Sequence, residues 1–169
     1  MIAPVFVDTN VLVYARDLRE KAKQPVAAQW IAHLWRDRTG RTSTQVLSEY
    51  YVTVTRKLKP GMPPAQAWDE VNAFLTWHPH PVDAALLQRA YQVEQRYRLS
   101  WWDSAVVGAA QLQDCALLLT EDLQDGAVFG SVTVRSPFTL AVEDPRAVYH
   151  ILPTENAHRP RGRPVRTSR

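Results

Sequence analysis

The sequence contains a single cysteine, Cys115, among its 169 residues. An internal disulfide and a thiolate-based zinc cluster are thereby excluded, and a cytoplasmic location is the expectation. No run approaches the roughly 18 consecutive apolar residues of a membrane span, and the first residues lack the basic start of a signal peptide, so no membrane association is expected. Only six glycines occur, and neither G-x-x-x-x-G-K nor G-x-G-x-x-G is present. Two common phosphate-binding loops are therefore absent from the sequence.

The formal net charge of +3 comes from one end of the chain. Residues Arg159 to Arg169 hold five of the 20 basic residues and no acid, so the remaining chain has 15 basic residues against 17 acidic ones, a net charge of −2. We therefore expect one domain over residues 1–150 and a basic, disordered tail over 151–169. The arginines of this tail are candidates for a contact with DNA.

Short apolar segments alternate with amphipathic helical segments along the chain. Apolar runs at Pro4 to Val7, Ala116 to Leu119 and Ser131 to Val134 predict strands, and an edge strand is the most that the proline-rich stretch at residues 78–81 allows. Helical stripes follow cap residues such as Ser43, Asp83 and Ser100. This alternation predicts an α/β fold with a parallel sheet that is covered by helices on both faces.

Four acids from distant parts of the chain are predicted to meet at one edge of this sheet. Asp8 ends the first strand, Asp122 follows the strand Ala116–Leu119, Asp103 lies in the first turn of the helix that leads into that strand, and Glu49 lies ~7–8 Å into its own helix. Ligands of parallel α/β sheets bind beyond the carboxyl ends of the strands. Crowded carboxylates repel one another, and a hard divalent cation such as Mg²⁺ or Mn²⁺ relieves that repulsion.

Each of these acids also has a structural interpretation when it is taken alone. Asp8 is suited to capping the helix that follows it, and Asp103 fits a capping box with Ser100. Glu49 fits a solvated helix position, and Asp122 lies in an acidic loop ahead of a turn. Their coincidence at one edge favours the functional interpretation, which is hydrolysis of a phosphodiester bond with the help of a metal ion.

Four segments of the sequence resemble, in order and in spacing, the motifs of the PIN domain family. They cover roughly residues 4 to 136, nearly the whole body of the chain, and it is their order that makes the resemblance specific. The segments are Val5-Phe-Val-Asp-Thr-Asn-Val-Leu-Val-Tyr-Ala15, Ser43-Thr-Gln-Val-Leu-Ser-Glu49, Leu99-Ser-Trp-Trp-Asp-Ser-Ala-Val-Val-Gly-Ala-Ala110 and Leu117-Leu-Leu-Thr-Glu-Asp122.

The resemblance implies a three-layer α/β/α sandwich with a central, mostly parallel five-stranded sheet. It also implies a Mg²⁺-dependent endoribonuclease, supported by Mn²⁺ as well, of the kind found as the VapC-type toxin of bacterial toxin–antitoxin pairs. Asp8, Glu49 and Asp103 match the family's metal-binding acids, which hold one or two ions. Asp122 matches the fourth acid, with the neighbouring Glu121 and Asp125 as alternatives.

The resemblance further implies supporting residues and partners. Thr9 and Asn10 are expected to orient the acids by hydrogen bonding. The expected partners are an RNA substrate, either tRNA or mRNA, a cognate antitoxin protein and a second copy of the chain in a homodimer. Basic residues that follow the first motif are candidates for contacts with the RNA backbone. These basic residues are Arg16, Arg19, Lys21 and Lys23.

Two tryptophans lie within the third motif. Trp101 and Trp102 precede Asp103; stacking on an RNA base is one interpretation, and packing in the core is the more common fate of such residues.

The alternative function is a catalytically silent PIN-like module that is tethered to nucleic acid by its arginine-rich tail. A small α/β phosphatase is a third possibility, against which stands the missing Asp-x-Asp after the first strand.

Overall fold

Two short strands that are buried on both faces form the centre of the protein. The computed structural model describes residues 3–140, so the predicted boundary at residue 150 and the predicted tail over 151–169 lie outside the described residues. Strand β1 (Val5–Val7) and strand β3 (Leu117–Leu119) pair in parallel, with Val5 opposite Leu117 and Val7 opposite Leu119. Their side chains are all buried, as expected for central strands of a parallel sheet.

Six α-helices and three further strands complete the described part of the chain. The strands are β2 (Gly40–Arg41), β4 (Val128–Phe129) and β5 (Val132–Arg135). The helices are α1 (Thr9–Tyr14), α2 (Lys23–Asp37), α3 (Thr44–Val52), α4 (Pro64–Phe74), α5 (Ala84–Tyr97) and α6 (Trp101–Leu112). The predicted caps are in place, because the side chains of Ser43, Asp83 and Ser100 each accept a hydrogen bond from a backbone N–H in the first turn of α3, α5 and α6.

The strand order β2-β1-β3-β5-β4 explains how the helices cover both faces of the sheet. All neighbours are parallel except β4, which runs antiparallel to β5. From β1 the chain crosses to β2 on one side, and from β2 it crosses back over β1 to β3. Right-handed crossovers in opposite directions place their helices on opposite faces. The predicted three-layer, mostly parallel five-stranded fold is confirmed, and the point where the crossovers diverge lies between β1 and β3.

Local details of two elements differ from the sequence prediction. The apolar residues Val54 and Leu58 continue the spacing of α3 and predict one longer helix, but α3 ends at Val52 and a π-helical turn follows over Thr53–Lys57. There the Thr55 hydroxyl donates a 2.7 Å hydrogen bond to the Tyr51 carbonyl, a contact that competes with the regular helical bonding. Strand β4 was not predicted, because two residues are too short to show any alternation.

The core is apolar, and one edge of the sheet includes the proline-rich stretch. Apolar side chains from β1, β3 and β5 pack against α1–α6 in one continuous buried cluster. The edge beyond β2 is extended by one parallel bridge between Ser43 and His80, which is the edge position predicted for the proline-rich stretch. Among residues 3–140, no helix is both long enough and apolar enough to span a bilayer.

Candidate active site

Asp8 lies at the divergence point of the sheet, where β1 ends and α1 begins. Its backbone N–H donates to the Leu119 carbonyl of β3 at 3.1 Å, so the two central strands hold the residue between them. The side chain is only 7% exposed. One carboxylate oxygen, Oδ1, accepts a 2.7 Å bond from the Thr9 backbone N–H, which makes Asp8 the N-cap of α1 as well. The capping interpretation and the functional one are therefore compatible.

Thr120, the first residue after β3, connects the groups around this carboxylate. Its hydroxyl donates to Asp8 Oδ2 at 2.8 Å and accepts from Asn10 Nδ2 at 2.9 Å and from the Asp122 backbone N–H at 3.1 Å. The side chain is fully buried. Sequence reasoning did not include Thr120 among the site residues, although its position after a buried strand paired with β1 was a usable signal.

The environment of Asp8 disfavours its ionised form. Burial is the largest influence and raises the pKa of Asp8 from 3.8 to about 7. The hydrogen bonds from Thr120 and Thr9 oppose this rise, and the negative charges of Asp122 and Glu49 add to it. These two acids are therefore close enough to Asp8 to repel its charge.

Glu49 is positioned by α3 and by a hydrogen bond from Thr9, at the start of α1. It lies in the second turn of α3, and its side chain is exposed. Oε2 accepts a 2.8 Å bond from the Thr9 hydroxyl, while Oε1 accepts from Gln45 Nε2 at 3.0 Å. Thr9 thus contacts two of the predicted acids, Asp8 through its backbone and Glu49 through its side chain.

Asn10 is the second predicted supporting residue, and it forms hydrogen bonds on both sides of the site. Its Nδ2 lies 3.4 Å from Asp8 Oδ2 and donates to Thr120 Oγ1, and its Oδ1 accepts from the Glu121 backbone N–H at 3.3 Å. One amide side chain therefore ties the end of β1 to the loop after β3. The contacts expected of Thr9 and Asn10 are present, and their effect on activity stays a prediction.

Asp103 reaches the same edge of the sheet through α6. Its backbone N–H donates to the Ser100 side chain at 3.1 Å, which is the capping contact predicted for this position. Helix α6 leads directly into β3 and packs on β3 and β5. Because a crossover helix runs antiparallel to the strands, its first turn lies at the carboxyl edge, where Asp8 also lies. The half-buried Asp103 is thus placed at this edge by topology.

The three candidates for the fourth acid differ in their contacts. Asp125 accepts hydrogen bonds from Arg135 Nε at 2.9 Å, from the Ser136 backbone N–H at 2.8 Å and from Thr139, so its carboxylate closes a loop. Glu121 forms an ion pair with Lys23 at 3.0 Å. Asp122 is exposed, and its charge acts on Asp8. Asp122 therefore stays the predicted fourth acid.

These donors have the chemistry of a site for a hard cation. Oxygen ligands from carboxylates suit Mg²⁺ or Mn²⁺, and no Lys, Arg or His among residues 3–140 forms an ion pair with Asp8. In the same range, no three acidic, histidine or cysteine side chains stand close enough to coordinate one ion. The set fits a divalent cation in composition and charge, and closing around one requires rotation of exposed side chains such as Glu49 and Asp122.

Three of the four basic residues predicted to contact nucleic acid have acidic partners within the chain. Arg16 pairs with Glu70, Arg19 with Asp17 and Lys23 with Glu121, at distances of 2.9 to 3.0 Å. The fourth, Lys21, is exposed and forms no ion pair in the described part of the chain. Lys23 is linked to the site through Glu121, whose backbone N–H donates to Asn10 Oδ1.

The two tryptophans before Asp103 differ in environment. Trp101 is half-buried, but the side chain of Trp102 is 65% exposed, in contrast to the core packing that is usual for such residues. Exposure of so large an aromatic surface beside an acidic edge offers a flat face for stacking.

Comparisons with known proteins agree with this architecture. The family model described as PIN domain matches residues 5–124. Among solved structures, a chain of a toxin–antitoxin complex from Klebsiella pneumoniae is similar, with a TM-score of 0.55 and 20% sequence identity. The similarity covers 79% of this chain and 97% of that chain, and at this identity it concerns the fold. Curated protein sequences gave no match.

Proposed function

Because the chain belongs to the PIN domain family, we propose that it is a metal-dependent endoribonuclease. PIN domains are generally nucleases. The observation that carries the proposal is the buried Asp8, whose charge lacks a basic partner in the described residues and is opposed by Glu49 and Asp122. Retaining an acid in so unfavourable an environment is typical of functional sites.

We assign the binding of Mg²⁺, or of Mn²⁺ in its place, to Asp8, Glu49, Asp103 and Asp122. A cation at this edge would stabilise the negative charge of the phosphate group and activate water for attack on phosphorus. Whether one or two ions bind depends on how far the exposed acids turn towards Asp8. The supporting observations are the hard oxygen donors and the repulsion that they exert on one another.

The remaining groups of the site position these acids. Thr120 and the Thr9 backbone hold the Asp8 carboxylate by one hydrogen bond on each oxygen, which limits its rotation. The Thr9 hydroxyl holds Glu49, and Asn10 keeps the two strand ends together. A phosphodiester group then approaches from the solvent side, where Glu49 and Asp122 are exposed.

The RNA backbone is proposed to lie along the basic residues that follow β1. Lys21 is available as it stands, whereas Arg16, Arg19 and Lys23 contact phosphate by exchanging their acidic partners. Surface ion pairs contribute only ~0–1 kcal/mol, so this exchange costs little. The substrate is RNA in this proposal, with tRNA and mRNA as the two candidate classes.

The partners are proposed from the similar fold in the toxin–antitoxin complex. We propose that the chain is a VapC-type toxin that binds a cognate antitoxin, acts in the cytoplasm and forms a homodimer. A DNA contact of the tail Arg159–Arg169 concerns residues outside those described. The alternative, a catalytically silent module, is not favoured, because a binding scaffold has no need of a buried, repelled carboxylate.

A cleavage assay with purified protein tests the nuclease proposal. Wild-type protein is incubated with single-stranded RNA in Mg²⁺ or in EDTA, beside the variants Asp8→Asn and Asp69→Asn. Asp69 is an exposed acid of α4 and serves as the matched control for the loss of one charge. We expect cleavage only with Mg²⁺, an Asp69→Asn rate equal to wild type, and a loss of at least a hundredfold in Asp8→Asn. Equal cleavage by Asp8→Asn and wild type would contradict the proposal.

A further inference from the structure

A second pocket lies at the opposite end of α6 from the acids. It has a volume of about 500 Å³ and lies between the ends of α5 and α6 and the turn that joins β4 to β5. Gln111, one of its lining residues, lies eight residues beyond Asp103, or ~12 Å along the helix axis. This pocket is therefore distinct from the carboxyl edge of the sheet.

Arg89 lines this pocket and contacts α6 along its side chain. A Cβ atom at Gly108 would lie 3.2 Å from Arg89 Cγ, so the glycine leaves the space along which the arginine stem lies against α6. At its far end, Arg89 Nη1 donates to Gln111 Oε1 at 3.3 Å, and Gln111 Nε2 donates to the Phe129 carbonyl at 3.0 Å. A neutral amide, and no acid of the described residues, thus bonds to the guanidinium.

A second arginine lines the same pocket two helical turns further on. Arg96 is exposed, and its guanidinium lies 5.3 Å from the centre of the Tyr97 ring. Neither Arg89 nor Arg96 forms an ion pair among residues 3–140, whereas Arg16, Arg19 and Arg135 do. The pocket therefore holds two guanidinium groups without an ion-pair partner in the described part of the chain.

The other lining groups define the kind of anion that fits. Gln92 adds an amide, and Asp114 adds one exposed carboxylate, which leaves the side chains of the pocket with a net positive charge. Guanidinium groups bind phosphate oxygens with paired, charge-assisted hydrogen bonds. A carboxylate beside them accepts hydrogen bonds from the hydroxyl groups of a sugar.

We propose that this pocket binds a phosphate group, with Arg89 and Arg96 as its ligands. The phosphate belongs either to a nucleotide or to an RNA strand that also reaches the acidic edge. Binding at this pocket does not depend on the proposed nuclease activity, because the pocket shares no residue with the acids at the other end of α6.

Binding measurements on the full chain in EDTA test the proposal, since chelation removes metal-mediated binding at the acids. Isothermal titration is carried out with inorganic phosphate, a nucleoside monophosphate and a short single-stranded oligonucleotide. We expect Arg89→Gln and Arg96→Gln each to weaken binding about tenfold, in line with the loss of a charge-assisted bond. Arg56→Gln removes the same charge from an exposed arginine outside the pocket and should bind as wild type does.

The outcomes separate the sources of the phosphate and the competing structural role. Tight monophosphate binding that depends on Arg89 supports a nucleotide, and Arg89-dependent binding of the oligonucleotide alone supports an RNA strand. Arg96 also lies in the last turn of α5, where a cation stabilises a helix end. The proposal is overturned if no probe binds at millimolar concentration, or if both variants lose thermal stability and keep wild-type affinity. If Arg89→Gln fails to fold, the exposed Arg96→Gln decides the test.

Discussion

Replacing Asp8 by asparagine should stabilise the metal-free protein at high pH. Burial raises the pKa of Asp8 from 3.8 to about 7, so the folded state holds this proton more tightly than the unfolded state does. The stability that this group contributes is therefore fully present below pH 4 and is lost as the pH rises through about 7. With 1.36 kcal/mol for each pKa unit, the loss reaches about 4 kcal/mol at pH 8, of which about 3 kcal/mol falls between pH 5 and pH 8.

The asparagine variant separates this effect from the hydrogen bonds of the site. Its amide oxygen still accepts from the Thr9 backbone N–H, but its nitrogen cannot accept from the Thr120 hydroxyl as Asp8 Oδ2 does. That mismatch costs about 1 kcal/mol at every pH. Only the pH-dependent difference between wild type and variant therefore reports the buried charge.

Urea unfolding in EDTA at pH 5, 6, 7 and 8 measures this difference. As the pH rises from 5 to 8, we expect the free energy of unfolding of Asp8→Asn to increase by about 3 kcal/mol relative to that of wild type. Asp69→Asn, on the exposed face of α4, should show the same pH dependence as wild type. Adding Mg²⁺ at pH 8 should raise the stability of wild type and leave Asp8→Asn unchanged. Stability curves of wild type and Asp8→Asn that run parallel from pH 5 to pH 8 would refute the reasoning.

Other residues give further expectations. Thr120→Val removes a buried hydroxyl with three hydrogen-bond partners. We expect the free energy of unfolding in urea to fall by ~1–3 kcal/mol and cleavage to require more Mg²⁺. Unchanged values of both would contradict this. Trp102→Ala should raise the KM for RNA several-fold with little change in kcat, while Trp68→Ala, at 56% exposure on α4, should not; equal effects would argue against stacking. Gly40→Ala places a methyl group 2.6 Å from ring atoms of Trp77. We expect the free energy of unfolding to fall by ~1–3 kcal/mol in the same urea assay, and an unchanged midpoint would contradict this.

The fold was largely predictable because its signals are local. The buried runs that became β1 and β3, the caps of α3, α5 and α6, and the alternation of strands with helices each depend on residues close together in sequence. Strand β4 escaped prediction because it is two residues long and exists only through its pairing with β5. The π-helical turn after α3 escaped because its residues show the same spacing as a regular helix.

The candidate site was predictable in part for a similar reason. The position of an acid at the end of a strand or in the first turn of a helix can be deduced from the sequence once the sheet is taken as parallel. The sequence left Glu121, Asp122 and Asp125 open as the fourth acid, because the contacts in which they differ, such as the ion pair of Glu121 with Lys23, exist only in the folded chain. Burial of Thr120 against Asp8 likewise depends on how β1 and β3 pair.

By itself, the sequence determined the central strands, most of the helices and their order, since burial patterns and caps are properties of neighbouring residues. It also predicted that several acids lie at the same edge of the sheet. Only the tertiary structure decided that Asp8 is buried and that Arg16 and Lys23 pair with acids far along the chain. It likewise decided that Arg89 bonds to Gln111 and forms no ion pair within residues 3–140. Those facts arise from strand register and helix packing, which bring together side chains up to 112 positions apart and so leave no local pattern in the sequence.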